Sequence, residues 1–267
     1  MNYKILCSDL DGTLLSTKSD VSDFTISEIR RIKESIKVIL VSARMPKSMT
    51  YLQKRLGIEN QPLICYNGAL ILDGETILES VTIPLPIIRE IYQIAEMHTI
   101  KVGLYYKDEW YVEDISERVE KEIKYTKASP EFRPTTTTFY DWKNRKITGA
   151  HKIMLMGNKD TCDAIYSILV ESFKNSIAIY RSNDTLIELA PKSVSKLSAI
   201  KLLLKGESLE NVIAFGDNYN DIEMLKHVGC GVAVANARDE VKAISKYITS
   251  ENTDDGVAKF INEHILV

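Results

Sequence analysis

The amino-acid sequence predicts an α/β fold in which a parallel sheet is built from both ends of the chain and an α+β module is inserted between them. Strand-like and helix-like segments alternate up to Cys65 and again after Ser195, which is typical of a parallel sheet covered by helices. Between these regions, strands turn back on themselves and helices occur in series, which favours an antiparallel sheet.

Each end of the chain carries its own alternating elements. At the N-terminal end, a capping-box pattern from Thr25 indicates one helix start and Pro46 another. The elements predicted there are a strand over 3–8, a helix over 25–34, a strand over 37–42, a helix over 46–57, a strand over 62–65 and a hairpin at Asp73-Gly74. At the C-terminal end they are a helix over 196–204, a strand over 211–215, a helix over 221–227, a strand over 231–235, a helix over 239–245, a strand over 247–248 and a terminal helix.

The middle of the chain has a different pattern. A turn at Lys107-Asp108-Glu109 joins two strand-like runs, and the stretch from Pro130 to Thr138 predicts a polar loop. The other elements predicted there are helices over 87–97 and 160–173, a helix between the strand ending at 113 and the polar loop, and strands over 101–105, 110–113, 152–156 and 177–181. We therefore predict a core of residues 1–81 and 186–267 and an inserted module of residues 82–185, with a return linker from Arg181 to Asp184.

Composition narrows the class of protein. The chain has 267 residues, of which 27% are charged, and a formal net charge of −3; this weak charge argues against a nucleic-acid partner or an anionic membrane surface. No apolar run approaches the roughly 20 residues needed to cross a bilayer, and no secretory signal precedes the first strand. The scattered cysteines, without a Cys-x-x-Cys pair, predict reduced thiols in a cytoplasmic protein.

A first acidic pair follows the first predicted strand. Asp9 and Asp11 lie two positions apart, so an extended chain would direct both carboxylates to one side. Ligand sites in open α/β sheets lie at the carboxyl ends of strands, which is where this pair falls. A solvated turn is the alternative, because Asp and Gly are ordinary turn residues.

A second acidic cluster, Gly216-Asp217-Asn218-Tyr219-Asn220-Asp221, also follows an apolar strand. Taken alone, it is also consistent with an N-capped helix whose acids are favoured by the helix dipole. If both clusters lie at the strand ends of one sheet, however, their carboxylates come together and repel each other unless a cation lies among them. Mg²⁺ suits such a site, because it binds carboxylates, carbonyls, water and substrate phosphate.

Two further features fit a phosphate group. Ser42 ends a strand just before a helix, where a hydroxyl and backbone N–H groups can hold an anion. Lys196 begins a helix, where acids are usually favoured. A lone lysine is most often solvated, but a phosphate dianion that approaches a carboxylate needs a nearby cation.

The order of the motifs DLDGTLL, SAR, VSK and GDNYND resembles the haloacid dehalogenase superfamily. It is most similar to the Cof-type sugar-phosphate phosphatases with a large α/β cap (subfamily IIB-like), and the similarity covers the whole chain, including Tyr66-Asn67-Gly68-Ala69. The resemblance implies a Rossmann-like parallel-sheet core with an inserted α+β cap domain that closes over the core and sets specificity. Ser42-Ala43-Arg44 departs from the usual Thr-Gly-Arg, and Ser193 and Leu197 stand where glycine is common.

The resemblance also implies roles for the acids. Asp9 would attack phosphorus and form an aspartyl-phosphate, while Asp11 would protonate the leaving oxygen and then activate water. Mg²⁺ would bind the Asp9 carboxylate, the Asp11 carbonyl and Asp217, with Asp221 supporting its waters.

The same resemblance implies a phosphate-binding set. Ser42 and Lys196 would hold the phosphate together with the Asn220 amide and the backbone near Leu10 and Ala43. Arg44 either contacts substrate or forms a structural pair, and the sequence leaves both possibilities open.

The predicted function is hydrolysis of small phosphorylated metabolites, with sugar phosphates favoured and no nucleic-acid or membrane partner. A phosphomutase or phosphotransferase using the same Asp9 is the main alternative. A receiver-like signalling module and a catalytically idle binding module are weaker ones. The sequence leaves the substrate and the oligomeric state open, and a monomer is compatible with it.

Overall fold

The computed structural model describes residues 3–17 and 19–266. The strands in chain order are β1 (Ile5–Ser8), β2 (Lys37–Val41), β3 (Leu63–Cys65), β4 (Leu70–Asp73), β5 (Thr76–Ser80), β6 (Ile83–Pro84), β7 (Lys101–Tyr106), β8 (Glu109–Val112), β9 (Glu131–Phe132), β10 (Gly149–Ala150), β11 (Lys152–Met156), β12 (Ile177–Asn183), β13 (Leu186–Pro191), β14 (Val212–Gly216), β15 (Cys230–Ala233) and β16 (Tyr247–Ile248). The α-helices are α1 (Asp23–Ile32), α2 (Lys47–Leu56), α3 (Leu85–Met97), α4 (Glu117–Thr126), α5 (Thr135–Asn144), α6 (Lys159–Phe173), α7 (Lys196–Leu204), α8 (Ile222–His227), α9 (Asp239–Ile244) and α10 (Gly256–His264).

The chain forms two compact units. The first contains residues 1–79 and 195–267, and the second contains residues 80–194. None of the helices within the described residues combines the length and apolar character needed to cross a bilayer. The four cysteines are buried and form no disulfide bond within the described residues.

The first unit is organised around an eight-stranded sheet with the order β16-β15-β14-β1-β2-β3-β4-β5. Strand β1 lies near its middle and runs parallel to both β14 and β2. These three strands consist almost entirely of buried apolar residues, which is the pattern of a sheet covered on both faces. The predicted parallel α/β core is therefore confirmed, and the carboxyl ends of β14, β1 and β2 lie side by side.

Helix α1 begins earlier than the sequence predicts. Ser22 is its N-cap, and the Ser22 side chain accepts a hydrogen bond of 3.0 Å from the Thr25 backbone N–H. The capping box predicted at Thr25 is wrong, because the Thr25 N–H is already inside the first helical turn and is satisfied by the upstream serine.

The second unit contains a six-stranded sheet with the order β12-β13-β11-β7-β8-β9, in which only the β8–β9 pair is parallel. Helices α3 and α6 bury one apolar face against alternate residues of β11, such as Ile153 and Leu155. The prediction that the middle of the chain forms an α+β module with an antiparallel sheet is therefore confirmed.

Two elements of this unit differ from the sequence-based expectation. Residues Thr135–Asn144 form helix α5, although a polar loop was predicted, because Phe139 and Trp142 bury one side of the segment. Strand β13 pairs with β11 and β12. It therefore lies in the second unit, although the sequence-based division placed residues from 186 onwards in the core.

A buried histidine ties the start of the second unit to its sheet. The Nδ1 atom of His151 accepts a hydrogen bond of 3.2 Å from the Lys107 backbone N–H, and Nε2 lies 3.0 Å from the Ser80 hydroxyl. Burial lowers the pKa of His151 to about 4, with the nearby Lys107 charge acting in the same direction. The neutral imidazole therefore serves a structural role.

Candidate active site

Most of the polar residues singled out in the sequence lie at one edge of the first sheet. The register pairs Ser8 of β1 with Phe215 of β14 and with Leu40 of β2, so Asp9, Asp217 and Ser42 leave the sheet at neighbouring positions. Strand β1 is followed along the chain by β2 on one side, while β14 occupies the other side. Such a switch in strand order opens a crevice where α/β proteins bind ligands.

Asp9 is buried at the end of β1. Its backbone N–H donates to the Phe215 carbonyl at 3.1 Å, and its Oδ1 atom accepts a hydrogen bond of 2.6 Å from the Lys196 ammonium. Burial raises the pKa of Asp9 well above its usual range; the Lys196 charge opposes this effect, and the charges of Asp221 and Asp217 add to it. Oδ2 has no hydrogen-bond partner among the described residues.

Lys196 lies between two carboxylates. It is the first residue of α7, whose capping box is formed by Ser195 and Ser198, and its side chain is only 1% exposed. The Nζ atom donates to Asp9 and to Oδ1 of Asp221, each at 2.6 Å. Burial alone would lower the pKa of Lys196, but the two carboxylates raise it above its usual range, so the ammonium stays charged.

Three carboxylates converge around this ammonium. Oxygens of Asp9, Asp217 and Asp221 lie within 4.8 Å of one another. Burial, followed by the charge of Asp221, raises the pKa of Asp217 to about 6. Because one ammonium faces three carboxylates, the cluster offers the hard oxygen ligands and the excess negative charge that suit a divalent cation.

The oxygens of Asp221 are already engaged by the protein. Oδ1 accepts from Lys196, and Oδ2 accepts from the backbone N–H groups of Asp217 and Asn218 at 3.1 and 3.0 Å. Asp221 therefore fixes the ammonium and the loop that carries Asp217. Asp9 and Asp217, in contrast, each accept a side-chain hydrogen bond through Oδ1 alone among the described residues.

The turn after Asp9 brings the two acidic segments together. Gly12 has a φ of +84°, and a Cβ atom there would lie 2.6 Å from Oδ2 of Asp217, so only glycine fits without displacement. Thr13 donates its hydroxyl to Oδ1 of Asp217 at 3.0 Å, and Asn236 donates its amide to the Gly12 carbonyl at 2.8 Å. The sequence interpretation gave no role to Thr13, although it is part of the DGT run.

Asp11 has a different environment from Asp9. Its side chain is 55% exposed, whereas that of its partner Arg44 is 4% exposed. Nε of Arg44 donates to Oδ2 of Asp11 at 2.8 Å, and a terminal guanidinium nitrogen donates to Oδ1 at 2.6 Å. The structure thus places Arg44 in a two-point ion pair, one of the two possibilities that the sequence left open.

The remaining predicted phosphate-binding residues surround the same strand ends. Ser42 is buried, and its Oγ atom accepts a hydrogen bond of 3.2 Å from the Arg44 backbone N–H. Ala43 is half-buried between them, and Leu10 is fully buried. The Asn220 amide donates to Oδ1 of Asn67 at 3.1 Å.

Asn67 was missed as a site residue by the sequence interpretation. It lies just after β3 and has a φ of +55°, next to Tyr66 with a φ of +52°. Two consecutive non-glycine residues in this left-handed region are unusual, and such strain is concentrated at functional sites. The run Tyr66-Asn67-Gly68-Ala69 was noted in the sequence, but nothing in the pattern reveals the contact between Asn67 and Asn220.

Comparisons with known proteins all point to one family. The family model described as haloacid dehalogenase-like hydrolase matches residues 6–261. A Haemophilus influenzae protein is 32% identical over 268 residues, covering 98% of each chain. A pyridoxal phosphate phosphatase of Escherichia coli is 30% identical over 284 residues, covering 100% of each chain. The crystal structure of a haloacid dehalogenase-like hydrolase from Bacteroides thetaiotaomicron superposes with a TM-score of 0.88 at 29% identity, covering 97% of this chain and 98% of that one.

Proposed function

Since the chain belongs to the haloacid dehalogenase-like hydrolase family, we propose that it is a Mg²⁺-dependent phosphatase of small phosphorylated metabolites that acts through an aspartyl-phosphate at Asp9. The observation that carries the proposal is the buried Asp9 carboxylate, which accepts a hydrogen bond from the Lys196 ammonium and has an oxygen within 4.8 Å of carboxylate oxygens of Asp217 and Asp221. A carboxylate nucleophile needs such a cation when a phosphate dianion approaches it.

The proposed reaction has two balanced halves. In the first, an Asp9 oxygen forms a bond to phosphorus while the bond to the leaving oxygen breaks, and the Asp11 carboxyl gives its proton to that oxygen. In the second, water attacks phosphorus, the bond to Asp9 breaks, and Asp11 takes the proton of the water. The products are an alcohol and inorganic phosphate, and both carboxyl groups return to their starting states.

The other residues would bind and orient the phosphate. Lys196 would hold one phosphate oxygen near Asp9, the Ser42 hydroxyl would donate to another, and the Asn220 amide and the backbone at Leu10 and Ala43 would complete the set. The Asp9 and Asp217 carboxylates and the Asp11 carbonyl would hold the Mg²⁺ ion, which supplies charge neutralisation at the phosphate when bound.

The proposed substrates are small phosphomonoesters, with sugar phosphates as the favoured class. The Escherichia coli relative named for pyridoxal phosphate supports a small phosphorylated metabolite. The proposed location is the cytoplasm, which is supported by the buried cysteines in thiol form because reduced thiols are usual there. The second unit, residues 80–194, is proposed as the cap that sets specificity.

The proposal is tested by phosphate release from a panel of sugar phosphates, nucleotides and pyridoxal phosphate. We expect turnover with Mg²⁺, loss of turnover with EDTA, and recovery when Mg²⁺ is restored. Asp9→Asn should abolish turnover, whereas Asp73→Asn, which changes an exposed turn acid in the same unit, should leave it unchanged. Full turnover by Asp9→Asn would refute the mechanism, and transfer of phosphate within a hexose phosphate without release would favour a phosphomutase.

A further inference from the structure

Arg44 has a buried and fully anchored position beside an exposed catalytic candidate. Its backbone N–H donates to Ser42, and its backbone carbonyl accepts from the Tyr66 N–H at 3.1 Å. The guanidinium also pairs with the Tyr51 hydroxyl, which in turn donates to the Ser19 carbonyl. The position of the guanidinium is therefore fixed by the interior of the first unit, independently of Asp11.

The asymmetry of the Arg44–Asp11 pair points to a role in the site. A buried guanidinium is costly to desolvate, and a buried ion pair contributes little net stability compared with apolar residues of the same shape. Here one partner is held almost completely out of water while the other remains half exposed. An ion pair with one buried, rigid partner and one exposed partner holds the exposed reactive group in place while leaving it accessible.

The two contacts of the pair suit a carboxyl group that must move protons. Both Asp11 oxygens are engaged by separate guanidinium nitrogens, at 2.8 and 2.6 Å. When one oxygen turns toward the leaving oxygen or toward water, the other contact can keep the carboxyl group in position. A lysine cannot do this, because its ammonium is a single point charge on a flexible stem.

We propose that Arg44 is a positioning residue that aligns the Asp11 carboxyl group for proton transfer, keeping one of its two contacts while the other opens. This inference rests on the proposed phosphatase function. It separates Arg44 from the residues that hold the phosphate, because the guanidinium acts through Asp11.

The test compares two esters of similar size that differ in their need for a proton. The 4-nitrophenolate of 4-nitrophenyl phosphate leaves without protonation, whereas the alkoxide of benzyl phosphate requires it. In single turnovers, Arg44→Lys should slow the first release of benzyl alcohol about 100-fold, a loss typical of misplaced acid catalysis. The burst of 4-nitrophenolate, and the concentration of each ester that half-saturates the single-turnover rate, should stay close to those of the wild type.

Matched variants complete the design. Arg31→Lys replaces another arginine of the first unit, whose Nε and terminal nitrogen both donate to Glu28, and it should leave both reactions unchanged. In an Asp11→Asn background, Arg44→Lys should add no further loss for benzyl phosphate. If Arg44→Lys does not fold, Tyr51→Phe tests the same anchor more mildly and should slow benzyl alcohol release while sparing the burst.

The outcomes separate this inference from the proposed function. A raised half-saturating concentration of both esters in single turnovers, an equal loss for both, or a loss that persists in the Asp11→Asn background would overturn the positioning role. A Tyr51→Phe variant that slows both esters equally would do the same. If the wild-type protein releases nothing from either ester, the proposed function fails first and this inference fails with it.

Discussion

Replacing Lys196 by methionine would remove the single ammonium from the carboxylate cluster. The side chains of Asp9 and Asp221 are 8% and 0% exposed, so the variant would leave two buried carboxylates without their shared cation. Removing one partner from a buried ion pair costs about 3–5 kcal/mol, because the remaining charge is uncompensated. For a unit of this size, each kcal/mol lowers the melting temperature by about 2–4 °C, so we expect a fall of about 6–20 °C.

The two units can be followed separately in a urea titration. The chain contains two tryptophans, and both Trp110 and Trp142 lie in the second unit. Tryptophan fluorescence therefore reports that unit, while far-ultraviolet circular dichroism reports both. In EDTA at neutral pH, Lys196→Met should shift the dichroism transition of the first unit and leave the fluorescence transition in place. Lys201→Met, which changes an exposed lysine on the same helix, is the control.

The loss should depend on pH in a defined direction. The Lys196 charge lowers the pKa of Asp9 against the effect of burial, so its removal raises the pKa of Asp9 further. The folded variant then binds more protons than the unfolded chain, and its stability rises as the pH falls. The difference between Lys196→Met and the wild type should therefore shrink from pH 7.5 to pH 5. Equal stabilities of Lys196→Met and Lys201→Met at neutral pH would refute this account of the cluster.

Two further predictions concern single positions. Gly12→Ala should raise the Mg²⁺ concentration needed for half-maximal activity, because the added Cβ atom would displace the Asp217 carboxylate. Gly74→Ala is the control, since Gly74 also has a positive φ, of +58°, but has nothing within 4 Å of the added atom. Equal effects of the two variants would contradict the prediction. The lowered pKa of His151, about 4 against an ordinary 6.5, predicts that the second unit keeps its full stability above about pH 6.5 and loses up to about 3 kcal/mol as the pH falls toward 4. Urea titrations followed by tryptophan fluorescence should show this loss, and His151→Gln, which keeps an acceptor and a donor but does not titrate, should remove it.

The sequence was sufficient to predict the parallel core, because its central strands are short and almost entirely apolar. It also indicated that Asp9, Ser42 and Asp217 would share one edge of a sheet, since the carboxyl ends of parallel strands lie together. The helical conformation of α5 was not predictable from its four consecutive threonines. Its helical state depends on the burial of Phe139 and Trp142, which is a tertiary effect that outweighs local propensity.

Pairing between side chains was the part of the site that spacing did not reveal. The two-point contact between Arg44 and Asp11 joins residues 33 positions apart, and the contact between Asn236 and Gly12 joins residues 224 positions apart. Each depends on where a backbone turn aims a side chain. The occupation of both Asp221 oxygens by Lys196 and backbone N–H groups likewise became visible only in three dimensions.

The pairing of β1 with β14 has a consequence for the synthesis of the protein on the ribosome. Strand β1 ends at Ser8, whereas its neighbour β14 ends at Gly216, 208 positions further along the chain. At a synthesis rate of 5–20 residues per second, β1 waits roughly 10 to 40 s for this partner. During that time one edge of an apolar strand is open to other chains, so the nascent protein is expected to be most vulnerable to aggregation, and most dependent on chaperones, before β14 is made.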